Sequence, residues 1–314
     1  MEFVWLIVGF ILLIKGADWM VQAASRLAKS FGISLMVIGL TVVALGTSMP
    51  EVAIGVMAAI KNANQLTLGD VVGSSVANIA LIIGFSAILI PLKIQPRTLS
   101  RDIPLSILIQ VLFIIFLLTG KGIDRLESSM LLFGFVCFLI YLARSNRTSD
   151  NQSDDLFTEK KQEKNPVYTK RWIDFLIILI GIAGVAVGSK LIVDNSILIA
   201  TSFGLSEAMI GVTIVALGTS LPELVVSIVS ISRKEHELLI GNIIGSNVFN
   251  ILLVIGISGV ISPIAFDNNI WINLLLMLIT SLLFFILAHR NKRISRPEGI
   301  FFLCFYLLFL ILAI

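Results

Sequence analysis

The chain has 314 residues, of which 57% are hydrophobic and 14% are charged, whereas soluble domains average roughly 45–50% apolar and about 25% charged residues. These values exclude an ordinary soluble domain and indicate a protein that lies largely within a lipid bilayer. The net charge of +3 provides no basic surface of the kind that nucleic-acid binding needs, so we expect no nucleic-acid partner.

Apolar segments long enough to cross a hydrocarbon layer of about 30 Å, which takes roughly 20 helical residues, recur along the whole chain. The ten predicted spans are 2–24, 34–60, 70–91, 101–119, 126–144, 172–198, 206–232, 238–262, 269–289 and 298–314. These segments lack the alternation of membrane strands, so the sequence predicts an all-α polytopic membrane protein.

The two halves of the chain carry the same pattern at one constant spacing, which we call the repeat offset. Residues 39–91 align with residues 211–263 without a gap, and 22 of these 53 positions are identical, which indicates a tandem duplication. The predicted units are a first five-helix repeat (1–144), a linker (145–171) and a second five-helix repeat (172–314). Because each repeat has an odd number of spans, we expect the second repeat to be inverted in the membrane.

The positions of lysine and arginine predict the orientation of the chain. Eighteen of these residues fall in one set of alternating loops, and three fall in the opposite set, namely Lys61, Lys121 and Arg125. Positive charge accumulates in cytoplasmic loops. We therefore expect a cytoplasmic linker, and we expect both termini and the Lys61 loop to be extracellular.

Spans 1 and 6 each contain a pair of opposite charges. Lys15 and Asp18 are three residues apart, and Lys190 and Asp194 are four apart, so the members of each pair can meet on one helix face. Two interpretations remain open at this point. The charges either neutralise each other within the membrane or take part in transport.

A polar motif interrupts span 2 at Gly46-Thr47-Ser48-Met49-Pro50-Glu51, and span 7 repeats it from Gly218 to Glu223. Proline cannot donate a hydrogen bond to the carbonyl four residues earlier, so each motif predicts a broken helix with a freed carbonyl. An ionisable residue at mid-membrane costs roughly 2.5 to 3.5 kcal/mol. Two such residues at equivalent positions, Glu51 and Glu223, therefore indicate a functional site.

A second repeated segment follows each motif, from Gly69 to Asn78 and from Gly241 to Asn250. Ser74 and Asn78 are four residues apart, as are Ser246 and Asn250, so each pair lies on one helical face. Their side-chain oxygens can bind a cation. Asp70 and Asn242 occupy equivalent positions near the starts of spans 3 and 8. We interpret them as helix N-caps in preference to the alternative, a role in guiding ions at the mouth of the pathway.

These motifs together supply only oxygen ligands. They comprise two carboxylates, the side-chain amides, freed carbonyls and the hydroxyl groups of Thr47, Ser48, Thr219, Ser220, Ser74 and Ser246. Calcium takes about six to eight oxygen ligands, whereas zinc and copper favour histidine or cysteine. An intramembrane hydrolase would need a constellation of nucleophile and base, and neither His236 nor His289 lies near the motifs, so we expect no enzyme. A channel remains an alternative, although broken helices at matching repeat positions favour a transporter.

The paired motifs resemble the two alpha repeats of the sodium/calcium exchanger family, within the cation/calcium antiporter superfamily, and the chain is most similar to compact prokaryotic calcium/sodium antiporters. The resemblance implies ten helices in two inverted repeats of five, with spans 1 and 6 as a sliding gate. It also implies that Glu51 and Glu223 bind calcium and share it with sodium, that Thr47 and Thr219 add oxygens, and that Asn78 and Asn250 form a central polar pair. The implied sodium sites involve Ser48, Ser220, Ser74, Ser246 and the carbonyls of Ala44 and Ala216.

The resemblance implies an antiporter that exchanges sodium for calcium by alternating access, with calcium export that moves net charge. A calcium/proton antiporter that uses the same site is the alternative. The expected partners are calcium and sodium ions and the lipid bilayer of the plasma membrane, with no cofactor beyond the transported ions. A monomer is the expected state. Many relatives have aspartate at the position of Asn250, so the sequence leaves potassium dependence open.

Overall fold

The computed structural model describes residues 2–119, 122–145, 171–202, 216–265 and 270–313. These residues form an all-α fold whose helices we number in chain order. The helices are α1 (Glu2–Phe31), α2 (Leu35–Thr47), α3 (Met49–Ile60), α4 (Asn64–Leu89), α5 (Thr98–Thr119), α6 (Arg125–Ser145), α7 (Arg171–Ser202), α8 (Ala216–Thr219), α9 (Leu221–Ser232), α10 (His236–Ile261), α11 (Trp271–Asn291) and α12 (Arg296–Ala313).

Four two-residue strands join the ends of these helices. Strand β1 (Leu92–Lys93) pairs antiparallel with β4 (Arg293–Ile294), and β2 (Gly122–Ile123) pairs antiparallel with β3 (Ile264–Ala265). Each pair therefore links a loop of the first half of the chain to a loop of the second half.

Seven of the described helices are long and apolar enough to cross a membrane, or eight if the bent pair α2 and α3 counts as one span. Large apolar side chains cover the outer surface of the described helices, and Phe133 and Ile311 are each 71% exposed. Such a surface suits lipid rather than water. The chain is thus a multi-span membrane protein, although the predicted count of ten exceeds the spans that qualify. Residues 206–215 of span 7 and most of the linker lie outside the described residues.

The predicted helix break is confirmed at the first motif. Helices α2 and α3 meet at Ser48 with a bend of 47°, and Pro50 lies in the first turn of α3, a position that tolerates proline. In the second motif, Ser220 separates α8 from α9 with almost the same backbone angles as Ser48. The two motifs therefore fold alike, with a glutamate in the first turn of each following helix.

Helices α4 and α10 form the centre of the molecule. Among the 18 most apolar consecutive residues of each helix, 78% are buried in α4 and 94% in α10, but only 22% in α6. Both helices widen to π-helical turns, at Ala77–Ile83 in α4 and Asn250–Ile255 in α10. Such turns are rare and occur often at functional sites. Here they begin at or beside Asn78 and Asn250.

Helices α1 and α7 pack against each other through glycines and run antiparallel. A Cβ atom at Gly9 would lie 3.0 Å from the Gly188 carbonyl oxygen, and one at Gly16 would lie 2.8 Å from the Gly181 carbonyl oxygen. Small residues allow such close contact between membrane helices. The buried apolar side chains of this pair form a cluster separate from the core around α4, α10 and α11.

Candidate cation-binding site

Glu51 and Glu223 are both buried, each with 1% of its surface exposed. Both carboxylate oxygens of Glu51 lack a hydrogen-bond partner, as does Oε2 of Glu223. Oε1 of Glu223 accepts bonds from the hydroxyls of Ser48 at 3.4 Å and Ser246 at 3.2 Å. The first motif thus directly contacts the glutamate of the second, and three carboxylate oxygens are free to bind a cation.

The two motif threonines make equivalent contacts across the repeats. The hydroxyl of Thr47 donates to Oδ1 of Asn242 at 3.1 Å and lies 3.3 Å from the Ser246 hydroxyl. Thr219 correspondingly lies beside Asp70, where its helix packs against α4. Each broken helix is therefore attached to the central helix of the opposite repeat.

The interpretation of Asp70 and Asn242 as helix N-caps is wrong. Helix α4 begins at Asn64 and α10 at His236, so both residues lie in the second turn of a helix rather than at its start. The reason is that polar residues such as Gln65 and Glu237 still belong to these helices, although they lie outside the apolar segment. Asn242 instead accepts the hydrogen bond of Thr47, and Asp70 lies beside Thr219.

The predicted asparagines are both buried but do not hydrogen-bond each other. Nδ2 of Asn250 donates to the Ser74 hydroxyl at 2.9 Å, and Nδ2 of Asn78 donates to Oδ1 of Asn247 at 2.9 Å. The side-chain oxygens of Asn78 and Asn250 have no partner. Each amide therefore donates through its nitrogen and keeps its oxygen, the atom that can bind a cation, without a hydrogen bond.

Asn247 is a site residue that the sequence reasoning missed. It is buried, accepts the bond from Asn78, and donates from Nδ2 to the carbonyl of Ser75 at 3.4 Å. The repeat alignment could have found it, because residues 75 and 247 are equivalent and both polar. The two side chains differ in type, which hid the relation.

The main-chain carbonyls that were predicted to bind cations differ in the hydrogen bonds that they already accept. The Ala44 carbonyl accepts bonds from the Ser48 amide at 3.0 Å and the Thr47 hydroxyl at 3.3 Å. The Gly218 carbonyl, which Pro222 cannot use, accepts the hydroxyl of Ser189 at 3.1 Å. That carbonyl is therefore not free, contrary to expectation. Ala216 begins α8, and its side chain lies outside the described residues.

The remaining predicted hydroxyls line the same region. Ser220 is buried and its hydroxyl has no partner, whereas the Ser74 hydroxyl also bonds the Val71 carbonyl at 3.3 Å. No group of three or more histidines, cysteines, aspartates or glutamates that could hold a metal occurs among the described residues. The buried site offers carboxylate oxygens and neutral oxygens, which suits a hard cation.

A cavity of about 620 Å³ leads to this region between α3 and α7. Its lining includes Met49, Pro50 and Thr219 of the two motifs, and Lys61, Lys190 and Asp194 contribute its charged groups. The cavity gives the motif residues a path to one side of the molecule, which we call the Lys61 side.

Buried oxygens on broken membrane helices, reached by a cavity, define the protein as a membrane transporter rather than an enzyme. The family described as sodium/calcium exchanger protein matches residues 1–144 and 173–314. The chain therefore belongs to the sodium/calcium exchanger family.

Relatives match over almost the whole chain. The sodium/calcium exchanger MaX1 of Methanosarcina acetivorans is 31% identical over 99% of this chain and 97% of its own length. The putative antiporter CaxA of Alkalimonas amylolytica is 37% identical over 94% and 93%, and the inner membrane protein YrbG of Escherichia coli is 35% identical over 91% and 88%.

The fold matches a solved exchanger equally well. The structure of the sodium-calcium exchanger NCX_Mj soaked with zero Na⁺ and Ca²⁺ has a TM-score of 0.82 and 31% identity, and the match covers 98% of this chain and 97% of that one. Another structure of that protein was soaked with 100 mM Na⁺ and 10 mM Sr²⁺ and has the same TM-score.

Proposed function

We propose that this protein is a secondary antiporter that exchanges sodium for calcium across the plasma membrane by alternating access. The observation that carries the proposal is the meeting of the two motifs, in which Ser48 of one motif donates to the buried Glu223 of the other. Glu51 lies buried in the same site without a partner. A cation bound there would replace the missing contacts of the carboxylates.

The charge of the site supports calcium as the substrate. Two ionised glutamates have a total charge of −2, which one calcium ion or two sodium ions neutralise. Unpaired buried charges are costly, so the site favours an occupied state. If calcium and sodium share these oxygens, entry of sodium down its gradient displaces calcium and drives its export. The Ala44 and Ala216 carbonyls and the serines of the motifs would serve the sodium ions.

We further propose that the chain forms ten spans as two inverted repeats of five, with both termini extracellular and the linker 145–171 cytoplasmic. The antiparallel contact of α1 with α7 supports inversion, because the pairs Gly9–Gly188 and Gly16–Gly181 exchange under the repeat offset. A single-cysteine variant at Gln152, in a background without Cys137 and Cys304, should resist a membrane-impermeant reagent in intact cells. Efficient labelling there would reverse the proposed orientation.

Transport by the purified protein in liposomes tests the function. An outward sodium gradient, with equal pH on both sides, should drive calcium uptake, and Glu51→Gln and Glu223→Gln should each nearly abolish it. If a pH gradient drives uptake and a sodium gradient does not, the protein is a calcium/proton antiporter that uses the same site. Calcium flux that needs no counter-ion gradient would indicate a channel and refute both.

A further inference from the structure

The turns that follow α3 and α9 are equivalent and place a basic residue at the same point. Lys61 caps α3 and Arg233 caps α9, and the repeat offset places one of these positions on the other. The next residue in each turn, Asn62 or Lys234, is left-handed, with φ of 56° and 62°. The two basic side chains therefore start from the same backbone geometry.

The helices that face these turns, α1 and α7, are equivalent as well. The same repeat offset places Gly9 on Gly181 and Gly16 on Gly188 without a gap, and these four glycines make the reciprocal contacts described above. The charged residues of the two helices can therefore be compared position by position.

An ion pair joins the two elements on one side of the molecule, which we call the Arg233 side. Nη2 of Arg233 lies 2.6 Å from Oδ1 of Asp18, and Nε lies 2.9 Å from the same oxygen. Gln22 supports the carboxylate by donating to Oδ2 of Asp18 at 3.0 Å. Ser25 adds a hydrogen bond of 2.7 Å to Glu235. An ion pair and a hydrogen bond thus connect helix α1 to the turn after α9.

The equivalent residues on the Lys61 side cannot form the same pair. Asp18 aligns with Lys190 and Gln22 with Asp194, so the counterpart of the Asp18–Arg233 contact would bring Lys190 against Lys61. Like charges oppose such a contact. The anion on α7 nearest to Lys190 is Asp194, four residues and about 6 Å further along the helix.

The structure has the Lys61 side open. Lys61, Lys190 and Asp194 all line the cavity that reaches Thr219, and no ion pair joins them within the part of the chain that the structure describes. The Arg233 side is therefore held closed by an ion pair, whereas the Lys61 side, with two lysines and one aspartate, has no such contact among the described residues.

We propose that Lys61 and Asp194 form an ion pair that closes the cavity when the site opens toward the Arg233 side, and that Lys190 opposes this closure by repelling Lys61. The proposal rests on the antiport function proposed above, since alternating access requires each side to close in turn. These residues position the helices and do not bind the transported ion.

Weak contacts suffice for this role. The side chains of Asp18 and Arg233 are 26% and 42% exposed, and exposed ion pairs contribute little to fold stability. An exchanger, however, must populate two states of similar free energy, so a change of only a few-fold in their ratio is measurable. We therefore expect effects on the balance of states rather than on folding.

The first experiment measures how accessible the cavity is. Ala53 lines it, and in a background without Cys137 and Cys304 an Ala53→Cys variant reports access through its rate of reaction with a membrane-impermeant maleimide in sodium buffer. Lys190→Asp recreates the charges of the Arg233 side and should slow labelling several-fold, whereas the matched change Lys93→Asp, outside the cavity, should not. Labelling at the parent's rate in Lys190→Asp would overturn the proposal.

The second experiment tests direct pairing in liposomes. Lys61→Asp and Asp194→Lys should each slow sodium-driven calcium exchange several-fold, and the double reversal should restore most of the rate. Losses that simply accumulate in the double variant would also refute the pair. The parent protein separates the two levels of inference. If the parent shows no sodium-driven flux, the proposed function fails, and if it shows flux without rescue, only the ion pair fails.

Discussion

Replacing Glu51 by glutamine removes one charge from the site and keeps the shape of the side chain. Two unit charges 4 Å apart at an effective dielectric constant of about 20 interact by about 4 kcal/mol, so a divalent ion and one carboxylate interact by about 8 kcal/mol. Glu51 is buried with both oxygens unpartnered, so glutamine avoids the cost of a bare buried charge but supplies only a neutral ligand. The neutral glutamine ligand and the lower desolvation cost offset part of this loss. A net loss of about 3 kcal/mol, a third of the interaction, lowers calcium affinity roughly 150-fold.

The same reasoning predicts opposite effects on the ion-free and the calcium-loaded protein. Glu51→Gln should leave the melting temperature in chelator unchanged or higher, because it removes an unpaired buried charge. The stabilisation that calcium gives the parent should disappear. Equilibrium binding of radioactive calcium and melting curves with and without calcium measure both effects. Parent-like calcium affinity would refute the assignment, and a lower melting temperature in chelator would show a structural role for Glu51.

Three further changes test other parts of the site and fold. Ser48→Ala removes a long hydrogen bond to Glu223 and should cost about 1 kcal/mol, measured as a roughly fivefold rise in the sodium concentration for half-maximal exchange with a smaller effect on calcium; a larger loss for calcium would count against it. Gly188→Ala places a Cβ atom 2.5 Å from the Leu13 amide nitrogen and should lower both the melting temperature and the exchange rate, whereas Gly73→Ala, whose Cβ atom meets nothing within 4 Å beyond the adjacent backbone of its own helix, should not. Asn250→Asp adds a third carboxylate whose joint ionisation with the glutamates is disfavoured, so its calcium transport should depend more strongly on pH than the parent's; identical pH profiles would place residue 250 outside the site.

The broken helices and most of the site could be predicted from the sequence because they depend on local chemistry. Proline cannot continue the hydrogen bonding of a helix, and the break at Ser48 follows from Pro50. Because the motif is duplicated, the same reasoning predicts the second break, which lies at Ser220. Burial of Glu51 and Glu223 in one region was also predictable, since two membrane-embedded acids at equivalent positions need a shared polar environment.

The tertiary partners could not be predicted, because they depend on which helices meet. Asp18 is close to Lys15 in sequence but pairs with Arg233, a residue 215 positions away. Asn78 bonds Asn247 rather than Asn250, a choice that depends on how α4 and α10 face each other. The Ser189 hydroxyl donates to the Gly218 carbonyl, which Pro222 leaves without a helical hydrogen bond. This contact joins two helices and cannot be predicted from the motif alone.

The central claim is that one set of buried oxygens binds both ions, and competition at equilibrium tests it most directly. Calcium bound to the purified protein should be displaced by sodium in a steep, cooperative manner, since more than one sodium ion is needed to replace the charge of one calcium ion. Potassium at the same ionic strength controls for screening, and Glu223→Gln should bind little calcium to displace. If sodium leaves bound calcium in place at concentrations at which it drives flux, the two ions occupy separate sites and the account is contradicted.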